Sequence, residues 1–106
     1  MIQIVYTPDA HTVSMRGHAN GGEAGHDLVC ASASILAYTL ASFVLNMEEA
    51  GAVESTRVDL LSGNATVGCT PTRKSEADVR RIFGSICEGF ALLARNYPEN
   101  VSFRTE

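Results

Sequence analysis

Gly17-His18-Ala19-Asn20-Gly21-Gly22-Glu23-Ala24-Gly25 is followed by His26-Asp27 and then by a run from Leu28 to Met47 without one charged side chain. This junction organises the chain. Four glycines in the first nine residues make that segment a mobile loop, because glycine loses the most backbone freedom on ordering. Asp27, directly before the apolar run, reads as a helix N-cap whose carboxylate accepts a bond from the amide of Cys30. The helix runs to about Ala50, with Gly51 as its stop. On length alone the run could cross a bilayer. Its contents argue against that: Ser32, Ser34, Thr39, Ser42 and Asn46 interrupt it, and Asp27 and Glu48-Glu49 flank it without an anchoring Lys or Arg. It reads instead as the central helix of a small domain, and no membrane partner is expected.

Working outward, Ile2, Ile4 and Tyr6 alternate with polar or smaller neighbours, the period of a strand. Thr7-Pro8-Asp9-Ala10 is a turn, and Thr12 to His18 alternates again, so these runs form a hairpin. Beyond the helix, Glu54–Leu61 and Ala65–Thr70 form a second hairpin around Ser62-Gly63-Asn64. Ser75 with Asp78 opens a second helix as a capping box. Val79, Ile82, Phe83, Ile86, Phe90 and Leu93 give that helix an apolar stripe. Asn96-Tyr97-Pro98 ends it, and Val101 and Phe103 mark a last strand. The order ββαββαβ implies an α+β two-layer sandwich with a mostly antiparallel sheet, a buried central helix and one amphipathic helix.

At 106 residues the chain is one domain, residues 1–106, and 45% hydrophobic against 19% charged residues suffices for a core. Net charge is −4, with 8 basic against 12 acidic side chains. The local basic clusters are Arg73-Lys74 and Arg80-Arg81, so direct nucleic-acid binding is not expected. Three cysteines without CxxC spacing argue against a disulfide framework. The N-terminus has no signal-peptide pattern, which points to the reducing cytoplasm.

Cys30 is the most informative residue. With Asp27 as N-cap it stands in the first helical turn, where the helix dipole favours thiolate. His18 ends a strand leading into the glycine loop, which can bring the imidazole to the sulfur. Cys with His is the minimum for nucleophilic catalysis. The plain alternative has Cys30 filling the core and His18 solvated. Asp27 is a cap, or orients His18. Ser34, one turn after Cys30, either lines the site or bonds a backbone carbonyl. Free amides from Leu28 to Cys30 are candidate oxyanion donors. His26 with His18 and Cys30 gives three local ligands, short of a zinc site, so neither metal nor cofactor is expected. Cys69 reads as structural on a strand's apolar side, and Cys87 as structural at a helix flank.

Gly17-His18-Ala19, then Gly25-His26-Asp27-Leu28-Val29-Cys30-Ala31-Ser32-Ala33-Ser34, resembles the signature of the ribosomal-processing cysteine proteases, the Prp family. The spacing of twelve between His18 and Cys30 fits it. The resemblance implies that Cys30 is the catalytic cysteine and His18 the catalytic histidine, with the motif's aspartate on Asp27 and its serine on Ser34. Asn20-Gly21-Gly22 is richer in glycine than the family's loop. It further implies a cytoplasmic endopeptidase, acting as a homodimer, that removes an N-terminal extension from the twenty-seventh protein of the bacterial large ribosomal subunit. Substrate would enter under Gly21 and Gly22. Tyr38, Phe43 and Phe90, apolar surface in excess of what two thin layers need, suit a homodimer. A noncatalytic ribosome-assembly module on the same fold is the alternative, and the presence of both His18 and Cys30 argues against it.

Overall fold

Alternation at the N-terminus produces strand β1, Ile2–Thr7, with Ile2, Ile4 and Tyr6 buried on one face. A single 3-10 turn at Pro8–Ala10 reverses the chain, and His11 follows in the left-handed region at φ 47°. Strand β2, Thr12–Arg16, then pairs antiparallel with β1. The computed structural model describes residues 1–18 and 24–106, without the side chains of residues 24–27. Helix α1 spans Ala24–Glu49, strand β3 Val53–Leu61 and strand β4 Asn64–Pro71. Helix α2, Glu76–Asn96, and strand β5, Val101–Thr105, complete the chain.

The five strands form one sheet in the order β3-β4-β2-β1-β5. Both expected hairpins are present, and β2 joins them by pairing antiparallel with β4. Strand β5 adds to the free edge of β1 in parallel, Ile2 opposite Val101 and Ile4 opposite Phe103. This parallel pair is possible because α2 carries the chain back across the sheet before β5. The helices contact each other, α1 lies on β3 and β4, and α2 lies on β5. The result is the two-layer α+β sandwich, its core between sheet and helices.

Strand β2 ends at Arg16, two residues short of His18, and other local details depart from the sequence reading. First, α1 starts at Ala24, so Asp27 is its fourth residue and not its N-cap. Gly25 falls inside the helix, but one interior glycine costs only about 1 kcal/mol relative to Ala, which a helix of 26 residues absorbs. Second, α1 is buried on one side only. Val29, Ala33, Ala37, Leu40, Ala41 and Val44 face the core, while Leu28, Ile35, Tyr38 and Leu45 are exposed. The stretch Leu28–Glu49 is apolar enough to cross a membrane by length and composition, yet its inner face is part of the core. Third, Ser75 makes no side-chain cap bond. Its hydroxyl instead accepts from Thr72 Oγ1 at 3.0 Å, because a 3-10 turn at Arg73–Ser75 leads directly into α2.

Gly51 does stop α1. Its amide bonds the Glu48 carbonyl and the next amide, of Ala52, reaches back to Met47 at 2.8 Å. That pair of bonds with φ +77° at Gly51 is a Schellman cap. In α2 the buried residues are Val79, Phe83, Cys87, Phe90 and Leu93; of the stripe read from the sequence, Ile82 and Ile86 are only partly buried at its edge, and Cys87 takes a place in the core. Cys87 is thus in the core and not at the flank. Phe83 stacks on Tyr6 and Phe90 on Phe103, at centroid separations of 6.2 and 6.5 Å. Phe90 is fully buried, so of the three aromatics read as surplus only Tyr38 and Phe43 remain exposed.

Candidate active site

The apolar row of the sheet formed by Met15 on β2, Ala65 on β4 and Leu60 on β3 is in register across the three strands. The first half of α1 faces this row across a cleft. Ala33 and Ala37 project toward it, and such short side chains leave space. A cavity of about 300 Å³ lies there. Its floor is Ile2, Met15, Leu60 and Ala65; its helix wall is Cys30, Ala33, Ser34, Ala37 and Tyr38; its rim is Gly17, His18 and the β3–β4 turn, Leu61 to Asn64.

The structure therefore brings three of the sequence-derived residues together. Cys30 is half-buried, His18 is exposed, and both line the cavity with Ser34. Ser34 stands one helical turn beyond Cys30 on the same face. The hydroxyls of Ser32 and Thr39 are turned back onto the carbonyls of Leu28 and Ile35, whereas Ser34 faces the cleft. Among the described residues, no hydrogen bond joins His18 to Cys30; hydrogen bonds of this kind often tighten only around substrate.

The earlier start of α1 changes the local chemistry. Cys30 is the seventh helical residue, in the second turn, not the first. The amides of Leu28 to Cys30 are then inside the helical ladder and are not free donors for an oxyanion. The side chains of Asp27 and His26, and all of Gly21 and Gly22, lie outside the described residues.

The other thiols are unsuited to attack. Cys69 and Cys87 are buried. Burial raises the Cys69 pKa. Desolvation, and then the charge of Glu88, pushes Cys87 up to about 12.

Sequence reasoning missed the rim and floor contributed by the second hairpin. Ser62-Gly63-Asn64 is legible as a turn, but only the strand order β3-β4-β2 sets it beside His18. The amide of Gly17 donates to the carbonyl of Gly63 at 2.9 Å, which ties that turn to the end of β2.

A thiol sharing a cleft with an imidazole has the parts needed for nucleophilic acyl transfer, the chemistry of thiol hydrolases. The sequence agrees with that class: residues 1–102 match the model of the cysteine protease Prp family, and the chain belongs to this family. No curated protein matches it by sequence. Among solved structures, SMU.848 from Streptococcus mutans is similar, with a TM-score of 0.71 and 31% identity over 99% of this chain and 93% of that one. The essential ribosomal processing protease Prp from S. aureus shares the fold over 100% of both chains. In complex with a substrate peptide it gives a TM-score of 0.76 at 20% identity. With a covalently linked product peptide the values are 0.74 and 24%.

Proposed function

We propose that this chain is a cytoplasmic cysteine endopeptidase with a Cys30–His18 dyad, and that it removes the N-terminal extension of large-subunit ribosomal protein twenty-seven. The observation that carries this reading is the placement of His18, Cys30 and Ser34 around one cavity in a member of a cysteine protease family. The S. aureus protease of the same fold is a ribosomal processing enzyme seen with substrate and product peptides, which supports a peptide from a ribosomal protein as the ligand.

In the proposed reaction Cys30 Sγ attacks the scissile carbonyl as thiolate, with His18 holding its proton. His18 then gives that proton to the departing amine as the C–N bond breaks, leaving a thioester. Water, deprotonated by His18, attacks the thioester. The acid departs and the thiol is restored, so no cofactor is consumed. Ser34 contacts the substrate chain along the helix wall. The exposed face of α1, with Leu28, Ile35, Tyr38 and Leu45, supports a homodimer, in which this apolar surface is shared between copies.

The test in cells is the intact mass of ribosomal protein twenty-seven, compared between a strain with this protein and one depleted of it. The expected result is retention of the encoded N-terminal extension on depletion. A ribosomal protein encoded without an extension, or processed equally in both strains, overturns the assignment.

A further inference from the structure

What holds His18 is not its own strand, since β2 ends at Arg16 and the imidazole is exposed. Its neighbour is the β3–β4 turn. Gly63 adopts φ +72°, and a Cβ placed on it would lie 2.5 Å from Nε2 and 2.8 Å from Cε1 of His18. There is no room for a methyl group between turn and ring. The backbone cannot yield easily, because the Gly17 amide is bonded to the Gly63 carbonyl and Leu61 is paired with Asn64. The ring is the part free to move.

We infer that Gly63 is a positioning residue: its bare Cα forms the seat on which the β3–β4 turn sets the His18 imidazole at the rim of the Cys30 cleft. This rests on the reading of His18 as the partner of Cys30. Any side chain at position 63 would lift the ring from that seat while leaving the cavity floor of Met15, Leu60 and Ala65 in place. Binding is therefore kept and proton transfer is lost.

The experiment separates the seat from ordinary turn strain. Gly51 has a similar φ of +77° with nothing within 4 Å of a new Cβ, so Gly51→Ala measures the backbone cost alone. Gly63→Ala adds the collision with the ring. Gly63→Asn retains the collision but better tolerates positive φ, which keeps a folded variant available. The substrate is a peptide spanning the N-terminal extension of ribosomal protein twenty-seven. The second readout, which needs no substrate, is the pH profile of Cys30 alkylation by iodoacetamide. His18→Ala is the reference for a lost imidazole.

Both Gly63 variants are expected to lower kcat by about tenfold or more relative to Gly51→Ala, a part of what general acid–base catalysis supplies. KM should stay within about threefold, since ground-state contacts are kept. Their alkylation profiles should move toward that of His18→Ala. If folded Gly63→Asn keeps the kcat and alkylation profile of Gly51→Ala, the seat is refuted. If His18→Ala itself cleaves and alkylates as the unaltered protein does, the dyad reading fails instead.

Discussion

Cys30 and the two buried thiols differ in surroundings, and that difference sets the outcome of single substitutions. Cys30→Ala and Cys30→Ser are expected to abolish cleavage with the fold intact, as judged by circular dichroism, because each makes a small change in a half-buried side chain at a cleft on the edge of the core. Cys69→Ser is expected to keep most of the activity. Iodoacetamide should label Cys30 ahead of Cys69 and Cys87 in the native protein, since burial holds both of those thiols protonated and covered. Peptide mapping after brief labelling checks this, and faster modification of Cys87 would contradict it. Another residue-level effect lies away from the cleft. Glu76 is held below the ordinary carboxylate range by the hydrogen bond from His11 Nε2 at 3.0 Å and then by that from Arg80. The unfolded chain takes up that proton at a higher pH than the folded one. Its stabilising contribution is therefore present above the ordinary carboxylate range and is lost as pH falls through the lowered folded value. Glu76→Gln should flatten the acid side of the stability–pH curve, measured by urea denaturation from pH 7 downward, and an unchanged acid slope would contradict the assignment.

At the scale of the elements, α2 links the core to the edge strand. Its residues Phe83 and Phe90 are fully buried and stack on rings from β1 and β5. Phe83→Ala should cost about 3–5 kcal/mol, the range for truncating a buried aromatic ring. That is a large share of the stability of a small domain, and thermal or denaturant unfolding measures it. The elements also show how far a sequence can be read. The stripe of α2 and the alternation of β1 were legible because each is a local period with one buried face. The start of α1 was not legible, because capping chemistry at Asp27 and the penalty for helix continuation through Gly25 are each worth only about 1 kcal/mol. The one-sided burial of α1 was hidden as well: an apolar residue such as Ile35 looks the same whether it faces the sheet or the outside.

For the whole molecule, the meeting of distant segments decides the site. His18 and Cys30 are candidates that a family motif offers within thirteen residues of sequence, and both line the cavity. The contribution of Leu60 and Gly63 required the strand order, which no local pattern encodes. The exposed apolar face of α1 leads to a further expectation at this scale. Light scattering at micromolar concentration should give twice the chain mass of 11.3 kDa, and a monomer would count against the homodimer. The central claim, a Cys30 nucleophile served by His18, is tested most directly by intact-mass spectrometry of purified ribosomal protein twenty-seven, with its extension, incubated with this protein. Loss of the extension is expected with the unaltered enzyme, and retention with Cys30→Ser and His18→Ala. Removal of the extension by Cys30→Ser at the unaltered rate would contradict it.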